Sequence, residues 1–218
     1  MSKTFPKIGK AITMAAKEGG NDPVNNSKLR LAIQLAKAAN MPKDNVDAAI
    51  KRASGKDAAD IKEINYEGKG PHGVMIFVEC ATDNTNRSIA NIKTYFNKNG
   101  GQILPSGALE FLFKRKTVVE FEVTPSMNME EIELGLMDAG LEELEVDNGV
   151  AYAYGDFTDF GTLTAGVEAL GIEIKKASLQ RIPGNPQDYT EEQISDIEVL
   201  LDKLEEDEDV QAVFTNIN

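Results

Sequence analysis

Two short patterns in this chain could bind a cofactor or a metal, and each lacks what that chemistry needs. Gly68–Gly73 spells G-x-G-x-x-G, but a dinucleotide-binding loop follows a strand and opens a helix. Here the pattern precedes the strand-like run Val74–Cys80 and contains Pro71, so we expect a turn that leads into a strand. His72 is the sole histidine, and zinc needs three or four Cys, His or carboxylate ligands. We therefore predict no cofactor and no metal.

The remaining reactive side chains also predict no catalytic site. Cys80 is the single cysteine and alternates with Val74, Ile76 and Val78 on one face of a strand, which favours a core residue over a nucleophile. The acidic run 205–209 lacks the Asp-x-Asp-x-Asp-Gly spacing that wraps a calcium ion, so we expect a solvated helix end. The sequence predicts a protein that is not an enzyme. A small-molecule enzyme acting in an interdomain cleft is a third alternative, for which no constellation of residues stands out.

Charge is the most informative feature, because it is divided unevenly along the 218 residues. Residues 1–56 hold 11 basic and four acidic side chains, a balance of +7, and the rest of the chain holds 12 basic and 32 acidic ones, a balance of −20. Clustered Lys and Arg attract phosphate backbones through counterion release, whereas a Lys-rich solvated helix surface is the alternative. The candidate nucleic-acid-binding residues are Lys3, Lys7, Lys10, Lys17, Arg30, Lys37, Lys51 and Arg52.

Three helices are predicted in this basic segment, which we call the helical head. The first begins at Thr4 or Phe5, because Pro6 is tolerated only in a first turn, and ends at Gly19-Gly20. At 100° per residue its lysines lie opposite an apolar stripe and share one exposed face. The second helix is capped by Asn26 or Ser27, and the third follows Pro42 and ends at Gly55. Aromatic residues for base stacking are few, which favours contacts to the phosphate backbone with weak sequence reading.

Strands and helices alternate behind a linker at 56–62. The run 74–80 predicts a strand and is followed by a helix; strands at 108–113 and 117–123 are joined by a basic turn at 114–116. The sequence then predicts a helix, a hairpin around Asn148-Gly149, a helix and a strand up to residue 182. A last helix at 190–205 and a last strand at 210–217 close the chain.

This order predicts an α+β fold: a three-helix N-terminal domain followed by two ferredoxin-like α+β domains, one inserted in the other. The expected bounds are 1–58 for the head, 59–124 plus 184–218 for the first α+β domain, and 125–183 for the inserted one. Pro125 and the segment 183–186 are the expected hinges. Three consecutive domains are the alternative. With no export signal and no apolar run near the ~20 residues that span a bilayer, we expect a cytoplasmic protein and no membrane partner.

Several segments resemble the YebC family, the bacterial relatives of the mitochondrial translational activator of cytochrome oxidase. The resemblance is carried by Phe5–Gly20 with its Gly-Gly-Asn-Asp-Pro turn, Asn26–Val46, Tyr66–Gly73, Asp83–Ser88 and Leu200–Gln211. It implies a helical N-terminal domain followed by two α+β domains. Members of this family normally open with roughly 20 further basic residues, including Lys, Arg and Trp, of the kind that embrace phosphates. The sequence begins at Met1-Ser2-Lys3 and lacks them, so we expect weaker nucleic-acid binding from the sequence as it stands.

The resemblance and the charge division lead to two hypotheses for function. The first is a transcriptional regulatory protein whose head contacts DNA, while the acidic domains bind protein partners or shape a cleft. The alternative is a translation factor whose head meets ribosomal RNA on the ribosome. Both readings require the cations of the head to be displayed together toward a polyanion.

Overall fold

The computed structural model describes residues 3–56 and 60–218, which form two compact units. One unit contains the chain up to Lys114 together with Pro183–Asn218, and the other is Arg115–Ile182. The predicted linker at 56–62 and the bound at 58 fall partly outside the described residues. Among those residues no helix is both long and apolar enough to cross a membrane.

The helical head consists of α1 (Thr4–Gly19), α2 (Ser27–Ala38) and α3 (Lys43–Arg52), as predicted. Its core is apolar and small, and it is formed by Ile8, Ile12, Ala15, Ala16, Leu29, Ala36, Val46 and Ala49. Gly20 ends α1 with a φ of 91°, a conformation that side chains with a Cβ rarely adopt. The Asn26 side chain caps α2 by accepting from the Leu29 N–H at 3.0 Å.

The remaining elements complete an α+β fold, which confirms the predicted class. In chain order they are β1 (Lys62–Lys69), β2 (Met75–Thr82), α4 (Thr85–Lys98), β3 (Gln102–Ile103), β4 (Phe113–Glu122), α5 (Met129–Met137), β5 (Leu141–Asp147), β6 (Val150–Asp156), α6 (Phe160–Ala169), β7 (Lys176–Pro183), α7 (Glu191–Glu205) and β8 (Val210–Thr215).

The first sheet has the strand order β3-β1-β2-β8, with antiparallel neighbours. Ile76 and Val78 of β2 pack against Phe96 of α4 and Leu200 of α7 in one core. Because β2 pairs with β8, residues more than 120 positions apart share this sheet. The C-terminal helix and strand therefore complete a domain that begins at β1.

The second sheet has the order β5-β6-β4-β7. Its elements follow one another as strand, helix, strand, strand, helix, strand, and this order of strands is that of the ferredoxin-like βαββαβ unit. Asn148 and Gly149, with φ of 48° and 80°, form the tight turn between β5 and β6 that the Asn-Gly pair predicts.

One strand prediction and one turn prediction in the middle of the chain are wrong. Residues 108–112 form turns and residues 114–116 lie inside β4, not in a turn. The cause is the buried Glu67 carboxylate, which accepts from the backbone N–H groups of Gly107 and Leu109 and holds this segment in a loop. The pattern also missed β1, a Gly-containing strand that spans the start of the glycine motif.

The inserted unit begins earlier in the chain than the sequence predicts. Residues 117–123 were expected in the first α+β domain, but β4 pairs with β6 of the second sheet over Lys116–Glu122. Pairing of this strand places the start of the inserted unit at Arg115, ten residues before the expected one. The head packs within the same compact unit as the first sheet, and its treatment as a separate domain stays a prediction.

Candidate nucleic-acid interface

The helices of the head are fixed to one another by buried polar contacts as well as by the apolar core. The Thr13 hydroxyl of α1 donates to the Ala49 carbonyl of α3 at 2.8 Å. The Asn26 amide donates to the carbonyls of Ala15 and Gly20, both at 2.8 Å, which fastens the start of α2 to the end of α1. These contacts set which cations of the head lie near one another.

Lys10 does not point into solvent. Its ammonium nitrogen lies 2.7 Å from the Asp209 carboxylate and donates to the carbonyls of Ala81 at 3.2 Å and Glu208 at 3.1 Å. The Lys10 side chain is 19% exposed and that of Asp209 only 2%. Three acceptors satisfy the three N–H groups of the ammonium, so Lys10 fastens the head to the first α+β domain.

Lys7, one turn earlier on α1, is engaged in the same way. Its ammonium group donates to the Glu205 carbonyl at the end of α7. Burial of this ammonium group lowers the pKa of Lys7, and the negative charges of Asp207 and Glu205 act in the opposite direction. The expectation that Lys7 and Lys10 are displayed with the other lysines toward a polyanion is therefore wrong.

Asp209 is the centre of the network that holds these lysines. Arg87 of α4 grips its carboxylate with two nitrogens, Nη2 at 2.8 Å from Oδ1 and Nε at 3.1 Å from Oδ2, and the Ser88 hydroxyl donates at 2.8 Å. Although burial raises the pKa of Asp209, the hydrogen bonds from Arg87, Lys10 and Ser88 outweigh it and lower the value to about 2. Asp209 is thus a buried anion that is fully compensated.

The acidic run 205–209 is accordingly not the solvated helix end that its composition suggests. Asp207 is also buried, and its carboxylate accepts from the Tyr95 hydroxyl at 2.8 Å and from the Asn91 amide at 3.0 Å. Its other oxygen accepts from the Asp209 N–H at 2.9 Å. No spacing rule separates these two buried aspartates from their exposed neighbours Glu206 and Glu208, so the sequence carries no signal of their burial.

The other predicted cations divide into two groups by position. The Asn21 amide donates to the Ser54 hydroxyl at 2.8 Å, which brings the end of α1 next to the end of α3. Exposed Lys17, Lys51 and Arg52 therefore lie at one end of the head, and we call them the cationic end. Lys28, also near the end of α1, is paired with Glu18 at 2.6 Å.

Lys3, Arg30 and Lys37 lie outside the cationic end. Lys3 is exposed just before α1, and Lys37 is exposed in the last turn of α2, which runs back toward the start of α1. Arg30 is half-buried, and its guanidinium donates to the carbonyls of Pro23 and Val24 at 3.1 and 3.3 Å, so it stabilises the turn between α1 and α2. The structure thus brings three of the eight predicted residues together.

The glycine motif lies at the end of β1 and in the short 3-10 turn Pro71–Gly73, ahead of β2. A Cβ on Gly68 would lie 2.2 Å from the Phe96 ring, so this glycine is needed for packing. His72 has a φ of 59°, and its Nε2 lies 2.7 Å from Asp196.

Burial raises the pKa of the Cys80 thiol to about 12, which keeps it protonated. Within residues 3–56 and 60–218 no group of three metal-ligating side chains is found.

Models of known protein families match both the helical head and the part of the chain that follows it. Residues 1–56 match the model described as the TACO1/YebC protein N-terminal domain, and residues 61–217 match the TACO1/YebC second and third domain. The chain belongs to the TACO1/YebC family. The bound between the two matches falls in the segment that joins the helical head to β1.

Relatives within the TACO1/YebC family are similar over the whole chain. A protein of Wolinella succinogenes is 61% identical over 218 residues, and one of Campylobacter curvus is 60% identical over 217; each match covers 100% of this chain and 92% of the relative. Both are named "Probable transcriptional regulatory protein". The crystal structure of a conserved hypothetical protein from Aquifex aeolicus superimposes with a TM-score of 0.84 at 33% identity, covering 99% of this chain and 89% of that one.

Proposed function

We propose that this TACO1/YebC protein is a non-enzymatic, cytoplasmic regulator of gene expression whose helical head binds duplex DNA. The observation that carries the proposal is the cationic end, where Lys17, Lys51 and Arg52 are exposed on adjacent helix ends of a segment with a net charge of +7. The names of the relatives support a role in transcription. Lys3 and Lys37 are exposed toward the opposite end of the head and would contribute at the periphery of the contact surface.

The chemistry of these side chains suits contacts to the backbone of DNA. Lysine and arginine on the surface neutralise phosphates and release condensed counterions, which yields affinity with little sequence information. The head contains one aromatic residue, Phe5, which is half-buried in the first turn of α1, so stacking on bases adds little. Binding should therefore depend strongly on salt and weakly on DNA sequence.

Lys7, Lys10 and Arg30 have structural roles in this proposal. They hold the head on the first α+β domain or stabilise a turn of the head, through hydrogen bonds to carbonyls and to Asp209. Their contribution to DNA binding is indirect: they fix the direction in which the cationic end is presented.

The experiment is a fluorescence anisotropy titration of a short labelled duplex with the full chain, at several salt concentrations. The triple variant Lys17→Glu/Lys51→Glu/Arg52→Glu removes the cationic end, and it should lower the slope of log affinity against log salt by about 3. Lys93→Glu/Lys98→Glu, which reverses two exposed lysines of α4, is the control and should leave the slope unchanged. Equal losses in the two variants would show attraction by overall charge and would refute the proposal.

A further inference from the structure

The inserted unit Arg115–Ile182 has one sheet face turned away from its helices. On β6, a Cβ at Gly155 would lie 3.1 Å from Leu163 of α6, and Ala151 and Ala153 are fully buried on the same side. Side chains alternate along a strand, so Val150, Tyr152 and Tyr154 point to the opposite face. Both tyrosines are half-buried and lie on a central strand of the sheet.

Val150, Tyr152 and Tyr154 form a column of side chains along β6, and carboxylates of β4 and β5 flank this column on both sides. On one side β4 places Glu122 opposite Val150 and Glu120 opposite Tyr152. On the other side β5 places three acids opposite the same column: Asp147 with Val150, Glu145 with Tyr152 and Glu143 with Tyr154. These eight residues form what we call the Tyr–carboxylate face: an aromatic column between two rows of acids that lie about 10 Å apart, two strand spacings.

The inserted unit carries more negative than positive side chains. The unit has five basic and fourteen acidic side chains, a net charge of −9. Lys116 of β4 lies on the same face, opposite Asp156, and is paired with Glu142 of β5. Arg115 stacks on the Phe157 ring at 5.2 Å. At the other end of β4, Lys175 lies 3.9 Å from Glu122, and both of these side chains are exposed.

The protonation state of Tyr154 also favours the binding of a cation on this face. Burial, followed by the charge of Glu145 and a hydrogen bond to it, raises the pKa of Tyr154. The phenol therefore stays neutral, and its ring keeps an electron-rich face next to two carboxylates. A cation over such a ring is attracted by the ring and by the neighbouring acids together.

We propose that the Tyr–carboxylate face binds an extended, Lys/Arg-rich segment of a partner protein. Tyr152 and Tyr154 are two residues apart on one strand, a spacing of about 7 Å. Alternate side chains of an extended peptide have the same spacing, so every second residue of the partner would place a cation over a tyrosine and between the acid rows. Phosphate groups of a nucleic acid would instead be repelled by the five carboxylates.

The test uses the full chain and a fluorescein-labelled probe peptide with arginine at alternate positions in a threonine background. Anisotropy should report binding that weakens roughly three- to tenfold in Glu143→Gln/Glu145→Gln, since each exposed charge pair contributes modestly. The control Glu130→Gln/Glu131→Gln makes the same charge change on exposed residues of α5 and should change the affinity less than about twofold. A probe with the same composition but contiguous arginines should bind more weakly.

A second pair of variants tests the tyrosines. Tyr152→Phe/Tyr154→Phe keeps the rings and should retain binding, whereas Tyr152→Leu/Tyr154→Leu should lose roughly three- to tenfold. If the leucine variant does not fold, the glutamine variants still decide the matter. The DNA-binding variant Lys17→Glu/Lys51→Glu/Arg52→Glu should not weaken the peptide, so this inference and the proposed function fail separately.

Three outcomes would overturn the inference. Equal weakening in the α5 control would mean attraction by net charge alone. Single-stranded RNA that binds the chain and is lost with the leucine variant would make the face a nucleic-acid platform. A dimer in sedimentation equilibrium that Glu143→Gln/Glu145→Gln abolishes would make the occupant a second copy of this chain.

Discussion

The two halves of α1 show how the same residue type on the same helix face acquires opposite roles. Lys10 and Lys17 are seven residues apart, two helical turns, and the helical period places them on one side. Lys10 is 19% exposed and ion-paired with Asp209, whereas Lys17 is exposed at the end of the helix. The first α+β domain imposes the role of Lys10, because it presents Asp209 and two carbonyl groups to that ammonium group.

Local charge alone does not identify a binding surface. A lysine stripe read along the sequence divides into residues that compensate buried acids, such as Lys10, and residues that are exposed at the surface, such as Lys17. The acids that make the division lie about 200 positions away in the sequence. Substitutions at Asp209, Lys10 and Lys17 test this division directly.

The largest effect is expected from Asp209→Ala. The change removes the shared anion of Arg87, Lys10 and Ser88 and leaves partly buried cations without a counter-charge, which should lower the free energy of unfolding by about 3 kcal/mol. Urea denaturation measures it. The matched control is Asp83→Ala, which removes an exposed acid that also contacts Arg87 and should lower the free energy of unfolding by less than about 1 kcal/mol. An equal loss of unfolding free energy in both variants would mean that the buried network around Asp209 stabilises the chain no more than an exposed ion pair does.

Lys10→Met should lower stability without changing the salt slope of DNA binding, and Lys17→Met should do the reverse. Lys10→Met removes hydrogen bonds to a buried carboxylate and should lower the free energy of unfolding by about 2 kcal/mol. Lys17→Met should change it by less than about 0.5 kcal/mol, as for other surface residues. In the DNA titration, only Lys17→Met should reduce the salt slope. A Lys10→Met protein that is fully stable but defective in DNA binding would reverse the assignment.

The free energy of unfolding should depend on pH through the ionisation of the Asp209 carboxylate. Its pKa is lowered from 3.8 to about 2 in the folded chain, so its contribution is present above about pH 4 and is lost as the pH falls toward 2. A shift of this size corresponds to about 2 kcal/mol. Comparing the unfolding free energies of the natural chain and Asp209→Asn at about pH 6 and about pH 3 measures it. The difference between them should shrink at the lower pH, and a constant difference would contradict the assignment.

A smaller effect is expected at the periphery of the proposed interface. Lys37→Glu alters one exposed cation in the last turn of α2, away from the cationic end, and should reduce the salt slope of DNA binding by at most about 1. Lys51→Glu should reduce it by at least as much, because Lys51 lies among other exposed cations. A Lys37 variant with the stronger defect would move the interface to the other end of the head.

Much of the fold could be predicted from the sequence because local signals agreed with it. The apolar stripe of α1, the Asn26 cap and the Asn148-Gly149 turn each determine an element by themselves, and each is confirmed. The strand order and the bound at Arg115 could not be predicted, because pairing of β4 with β6 depends on contacts between distant residues. The loop before β4 imitates a strand in its pattern, and only the buried Glu67 carboxylate shows why it is not one.

The candidate site was predicted in part for the same reason. Exposure of Lys17, Lys51 and Arg52 follows from helix periodicity, since each is on the polar side of its helix. Periodicity gives no information on which polar side a second domain covers, so Lys7 and Lys10 were predicted with the rest. Asp209 and Asp207 carry no local signal at all, because a buried aspartate and a solvated one have the same sequence signature in an acidic run.

The most direct test of the proposed interface is an amide NMR titration of the full chain with a short DNA duplex. We expect the chemical shifts to change at the adjacent ends of α1 and α3, around Lys17 and from Lys51 to Ser54, with residues 7–10 unchanged. Changes centred on residues 7–10, or on the β5–β6 hairpin with the cationic end unaffected, would contradict the account.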